Sequence, residues 1–202
     1  HLPDSKLLMV DRITFFDPDG GEASVGSIRG EKDVDITEWF FKAHFFQDPV
    51  QPGSLGIEAM LQVMQTLMLS QGLHVGFVKP RFEPIMIEGE TEWHYRGQIT
   101  PDKTLITIDF ECVERHVEEG NCWISGEARL WGDGLKIYHA PRIGMRIVED
   151  DAGLASFVNK DSGKNKVSTK KELIDQSAVS TGESIAPDWR SIRDYWIERS
   201  AG

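Results

Sequence analysis

Two side chains in the stretch Ala43 to Gln71 could do acid/base chemistry: His44 and Glu58, fourteen positions apart. An imidazole can take or give a proton near neutral pH. A carboxyl among apolar neighbours is costly unless it is paired or protonated, and in the protonated form it can act as an acid. Pro49, Pro52 and Gly53 lie between the two and keep a helix from starting early. Ser54 is the expected N-cap. From Leu55 to Leu69 the chain is mostly Leu, Ile, Met and Val. A helix of that kind is apolar on nearly every side and belongs in a core or a membrane. The run is under the ~18 apolar residues that a span needs, and Glu58, Gln62 and Gln65 interrupt it, so a buried core helix is expected. The interruptions fall at i, i+4 and i+7, one polar stripe. Glu58 sits one turn into the helix, near the positive end of its dipole, where free N–H groups can polarise a carbonyl. Singly, Glu58 could be a satisfied core residue and His44 a surface one. Together, around one helix start, they point to an acid/base site.

The elements that must position this stretch follow from patterning. Lys6 to Phe16 reads as a helical turn or strand entering a strand. Asp17 to Gly21 is a turn, and Glu22 to Gly30 a second strand that forms a hairpin with the first. Asp35 to Phe41 is a short apolar run. Its Trp39, Phe40 and Phe41 form an aromatic cluster with Phe45 and Phe46 beside His44, either as core or as a wall of an acyl channel. After the helix, Gly72 to Phe77 leads into a strand that Lys79 to Pro84 interrupts, as at a bulge or sheet edge. Four strands are then expected at Glu90 to Thr100, Lys103 to Val117, Cys122 to Trp131 and Leu135 to Val148, with a hairpin turn at Gly132-Asp133-Gly134. Long strands after a single buried helix imply an α+β fold, an antiparallel sheet wrapped on that helix. His74, His94, His116 and His139 have no metal-ligand spacing and read as structural or exposed. Residues 1–149 form the expected domain. Residues 150–202 read as a linker-like tail with a helical pattern at 187–200.

The chain has 202 residues, room for one good-sized domain with an appendage. A formal net charge of −11 and a pI near 5.0 argue against nucleic acid or an anionic membrane as the main partner. An acidic partner stays open through a local basic patch. No signal peptide or transmembrane segment is visible. Cys112 and Cys122 lie in neighbouring strands but off register, so free thiols in a reducing, cytoplasmic setting are expected. The chain begins with His1 and no initiator Met, as a piece of something longer or a processed chain would.

The run His44 to Gln62 closely resembles the hot-dog-fold 3-hydroxyacyl-ACP dehydratases, nearest to the bacterial 3-hydroxydecanoyl-ACP dehydratase/isomerases and the related domains of polyunsaturated fatty acid and polyketide synthases. Their pattern is H-F-x-x-D-P-V-x-P-G-x-L-G-x-D/E-A-M-x-Q. Further matches are Leu8 to Arg12, Trp39 to Phe41, Tyr95 to Gln98, Gly126 to Ala128 and Tyr138 to Ala140. The resemblance covers roughly residues 2 to 149. It implies the hot-dog fold, and loss of water from a (3R)-3-hydroxyacyl thioester on acyl carrier protein to give the trans-2-enoyl product. It implies His44 as the base, with its ring held by the Val50 carbonyl, and Glu58 as the group that protonates or holds the departing hydroxyl. Gln62 would orient Glu58, and the Gly53 N–H would meet the thioester oxygen. No metal or redox cofactor is implied. The phosphopantetheine arm of acyl carrier protein carries the substrate. The family works as two hot dogs side by side, His from one and acid from the other, so the partner is either a second copy or a sister domain.

One departure matters. The dehydratase/isomerase branch usually has Asp where this chain has Glu58, so dehydration with little or no isomerisation is expected. The rival readings are thioester hydrolysis on the same fold, and a non-catalytic structural half of a multi-hot-dog synthase.

Overall fold

The computed structural model describes residues 6–150 apart from 89 and 119. The expected tail and its helix at 187–200 lie outside the described residues, as does any test of a domain boundary at 149.

Seven strands form one sheet. They are β1 (Arg12–Asp17), β2 (Ser27–Asp33), β3 (Pro80–Ile85), β4 (Glu92–Tyr95), β5 (Leu105–Glu118), β6 (Asn121–Gly132) and β7 (Leu135–Glu149). The order is β1-β2-β5-β6-β7-β3, with β4 also on β7, and every pairing is antiparallel. A short helix α1 (Trp39–Ala43) precedes the long helix α2 (Gly53–Ser70). The sheet wraps α2, which packs on β2, β5, β6 and β7. This is the hot-dog α+β arrangement that the resemblance implies.

The reason lies in two periodicities. β5 alternates half-buried and buried residues, with Ile106, Ile108, Phe110 and Cys112 turned onto the helix. α2 answers with a nearly all-round apolar surface, and Met60, Val63, Met64, Leu67 and Met68 are wholly buried. Each such side chain contributes about 1.5–3 kcal/mol by leaving water. The β6–β7 turn is Asp133-Gly134 with φ of 49° and 79°, the two left-handed residues that a tight hairpin requires. The Asp133 carboxylate accepts from Thr104 Oγ1 at 2.7 Å and Leu105 N–H at 2.9 Å, which ties the turn to the start of β5.

Several expectations need correction. Residues 22–26 are turn, and β2 starts only at Ser27, because Ser24 and Gly26 take positive φ that a strand excludes. Lys79 to Pro84 lies at a sheet edge, one of its two expected readings, but it is itself strand: Pro80–Ile85 is β3, tolerated with two prolines because among the described residues it bonds to β7 alone. The strand expected over Glu90 to Thr100 shrinks to β4, four residues. The apolar run at Asp35 to Phe41, for which the sequence specified no element, carries the start of α1 at its aromatic end. Cys112 and Cys122 are free and buried in adjacent strands, paired with different neighbours. Burial pushes the Cys112 thiol up to about 11. Among the described residues no helix is long and apolar enough to cross a membrane.

Candidate active site

His44 is the C-cap of α1, its N–H donating to the Phe40 carbonyl at 3.0 Å. Two anchors hold that helix. Phe40 and Phe41 are buried in the core. Lys32, buried on β2, pairs with Glu38 at 2.6 Å, just ahead of the helix. The chain then turns through Gln47, whose φ of 60° lies in the left-handed region. The reversal brings Val50 back to His44, and Nδ1 lies 3.1 Å from the Val50 carbonyl oxygen. A carbonyl only accepts, so Nδ1 carries the hydrogen, and in the neutral ring Nε2 is the nitrogen with the lone pair. Phe45 lies over the imidazole, ring centroids 4.0 Å apart. The aromatic cluster therefore divides: Phe40 and Phe41 are core, while Phe45 covers His44 and Phe46 is 91% exposed.

α2 starts at Gly53, with Pro52 in the cap position and no side-chain cap. The expected N-cap, Ser54, is instead inside the first turn and exposed. Proline's fixed φ suits the residue before a helix, and its side chain carries no acceptor, so the Gly53 N–H at the helix tip has no capping side chain. Gly53 has room beside it: a Cβ there would meet only the Tyr138 hydroxyl, at 3.8 Å.

Glu58 is half-buried, less enclosed than an all-apolar helix suggests. Its Oε1 accepts from Gln62 Nε2 at 2.8 Å, the i, i+4 contact that the stripe implies. Gln62 itself is wholly buried and has no freedom left. Met9 N–H donates to its Oε1 at 2.8 Å, and its Nε2 donates to the Leu7 carbonyl at 2.7 Å. Those contacts settle which end of the amide faces Glu58: the donor end. Glu58 Oε2 has no partner among the described residues. Gln65, the third member of the stripe, is half-buried and joins neither group.

The geometry thus joins His44 to Val50 and Glu58 to Gln62. No hydrogen bond or ion pair links His44 with Glu58 among the described residues. Sequence reasoning missed the backbone of Leu7 and Met9 as the clamp on Gln62. The only signal was the apolar run Leu7 to Val10, which reads as core. His94 and His139 stack on the outer sheet face, 5.8 Å between centroids, with His139 Nε2 2.5 Å from Glu127.

Replacing Gln62 with leucine is expected to cost about 2 kcal/mol, because the Met9 N–H and Leu7 carbonyl are left without their partner. A denaturant titration checks this, and an unchanged midpoint at constant slope would count against the clamp.

Comparison with known proteins decides the family. Residues 2–141 match the FabA-like domain family. The chain belongs to that family. The FabA-like match runs from ahead of the first strand into β7 and includes His44, Gly53, Glu58 and Gln62. A curated relative, one of the subunits of a polyunsaturated fatty acid synthase from Thraustochytrium sp., is 31% identical over 139 residues, which are 67% of this chain. The chain spans about 9% of that relative's length. Solved structures of the same general shape include the dehydratase heterocomplex ApeI:P of Xenorhabdus doucetiae, 11% identical with a TM-score of 0.48, over 78% of this chain and 93% of that one. Another is a hypothetical thioesterase of Streptococcus pneumoniae with coenzyme A, 14% identical with a TM-score of 0.43, over 68% and 85%. Likenesses this remote do not choose between the reactions.

Proposed function

We propose that this FabA-like chain removes water from (3R)-3-hydroxyacyl thioesters carried on acyl carrier protein, giving trans-2-enoyl thioesters in fatty acid, polyunsaturated fatty acid or polyketide synthesis. The observation that carries the reading is the state of His44. Its Nδ1 is committed to the Val50 carbonyl, so Nε2 is a ready proton acceptor in the loop that leads into α2.

The steps follow from the groups present. His44 Nε2 takes the C2 proton. The electrons of that bond form the C2–C3 double bond, and the C3–O bond breaks. In its protonated form Glu58, whose Oε2 has no partner among the described residues, gives its proton to the departing hydroxyl, which leaves as water. His44 ends protonated and Glu58 ionised, and a proton passes back through solvent before the next turnover. The Gly53 N–H, at the positive end of α2, steadies the charge that grows on the thioester oxygen. The chemistry calls for no metal or redox cofactor. The phosphopantetheine arm of the carrier protein brings the substrate.

A second hot dog completes the site in this reading. His44 and Glu58 have separate partners within one chain, which suits a site shared by two chains. Among the described residues β4 has an unpaired outer edge, and Trp93, Tyr95 and Met86 around it are exposed. An open strand edge with exposed apolar side chains is a template for another sheet. The partner is a second copy or a sister domain. The curated relative is by name part of a multi-subunit synthase, which supports the sister domain as well as the copy.

Glu58 in place of the isomerase branch's Asp moves the carboxyl by about one methylene, and a small misplacement of a reacting group is expensive. Isomerisation is therefore expected to be weak or absent. The test is to incubate the chain with a (3R)-3-hydroxyacyl N-acetylcysteamine thioester and follow the products by mass spectrometry and enoyl absorbance. The trans-2-enoyl thioester is the expected product. Free thiol without an enoyl product would mean hydrolysis. A cis-3-enoyl thioester as the main species would overturn the view of Glu58. A folded dimer that turns over nothing would favour a structural half of a larger synthase.

A further inference from the structure

A phenol pair beside the start of α2 has no role in the steps above. Tyr138, on β7, is wholly buried. Its ring lies on the first turn of the helix so closely that a Cβ on Gly56 would stand 2.7 Å from Cε2 and 2.8 Å from Cζ. Its hydroxyl reaches the Gly53 end, 3.8 Å from where a Gly53 Cβ would be. That hydroxyl makes no hydrogen bond of ordinary geometry among the described residues. A buried, unbonded hydroxyl costs free energy that a phenylalanine of the same shape would not.

Tyr95 on β4 is the cross-strand partner of Tyr138, so both rings leave the sheet on the helix side. The ring centroids are 5.0 Å apart at 48°. Tyr95 is 45% exposed, and its strand has a free outer edge among the described residues. The chain beyond it returns to the same place: the Ile99 carbonyl accepts the Gln51 N–H at 2.9 Å, two residues before Gly53. The two rings touch, and Tyr95 is the phenol nearest in the sheet to the unmet Tyr138 hydroxyl, its directly opposed cross-strand neighbour. Burial holds the Tyr138 phenol well above its ordinary value, so it stays a neutral donor. A phenol that accepts one hydrogen bond becomes a better donor of its own proton, and such bonds often tighten only when substrate is bound.

We infer that Tyr95 is a further donor to the substrate in the dehydration proposed above, a reading on which this inference rests, and that Tyr138 is its positioning residue. When substrate is bound, Tyr138 Oη–H, unmet in the free chain, turns to donate to Tyr95 Oη, and the Tyr95 proton is left to meet the thioester end of a substrate lying against Gly53. This explains why a tyrosine with an unmet hydroxyl stands where a phenylalanine would pack as well.

The experiment uses the whole chain, with Tyr95→Phe, Tyr138→Phe, the double variant and His44→Ala, on the 3-hydroxyacyl N-acetylcysteamine thioester. Each phenylalanine variant is expected to lower kcat about 10-fold or more, as removal of one donor from a site of developing charge does. The double variant is expected to be no slower than Tyr95→Phe, and the melting temperature of Tyr138→Phe is expected not to fall. A purely structural Tyr138 would move stability and leave kcat alone. Wild-type kcat in both single variants, with turnover lost in His44→Ala, would overturn the pair and leave the dehydratase reading standing. Losses that multiply in the double variant would overturn the link between the two tyrosines. Unchanged turnover in His44→Ala would remove the dehydratase reading and this inference with it. If the chain binds but does not turn over, calorimetry with the amide isostere of the substrate decides: Tyr95→Phe is expected to weaken it about 5-fold, and an unchanged Kd overturns the proposal.

Discussion

Replacing His44 with alanine lowers turnover of a (3R)-3-hydroxyacyl thioester by about 1000-fold, within the range that a positioned general base contributes. The loop supplies the reason. The Val50 carbonyl fixes one ring nitrogen as donor, so the other is a base without any change of tautomer. His94, His139 and His116 are not placed to substitute. His94 and His139 stack on the outer face of the sheet, and His116 stacks on Trp123. The fold survives the change. His44 is half-buried, and its ring holds one carbonyl and covers one phenylalanine, so the expected stability loss is about 1 kcal/mol. Steady-state kinetics beside a thermal melt separates the two effects. Turnover within tenfold of the unchanged chain, at equal melting temperature, would remove His44 from the chemistry.

Gly126→Ala is the largest expected loss of stability from one added carbon, about 3 kcal/mol, at the upper end for overpacking a core. The pairing of β6 with β5 slips between Cys112 and Glu114, and its pairing with β7 slips between Gly126 and Ala128. These bulges bend the sheet around α2. At the bend, a Cβ on Gly126 would stand 2.1 Å from the Glu111 carbonyl oxygen, 2.9 Å from Phe110 Cζ and 3.0 Å from Cys112 Cα. Two of those three atoms are backbone, and the ring belongs to a fully buried phenylalanine, so none can give way cheaply. For a domain of this size the midpoint falls by roughly 10 °C. A circular-dichroism melt reads it directly, and an unshifted midpoint would mean that the strands re-register freely at this point.

Much of this arrangement was legible in the chain because it depends on neighbours. β5, β6 and β7 each run twelve residues or more, long enough for alternation to stand out. The stripe of Glu58 and Gln62 is legible because i and i+4 meet on any helix. Misreadings gather where local signals are weak or contradictory. β3 carries two prolines and survives only as an edge. β4 is four residues long, and all four are exposed, so it has no buried alternation to read. Ser54 is a good capping residue by type, but Pro52 already stands at the cap, ahead of it.

The residues of the chain, taken in order, specify a histidine loop, a proline-glycine turn and an apolar helix with an acid one turn in, because turns, caps and helical spacing act over a few positions. They also specify the antiparallel strands that wrap it, since alternation needs only one strand's own length. What no stretch of the chain contains is the orientation of the groups. Gln62 faces Glu58 with its donor end because the backbone of residues 7 and 9, more than fifty positions away, occupies its other atoms. Tyr138 meets α2 because Gly56 leaves space for its ring, and Gly126 yields to the Glu111 carbonyl at a bend in the sheet. These are contacts between distant segments, and only close packing in three dimensions chooses which of them form.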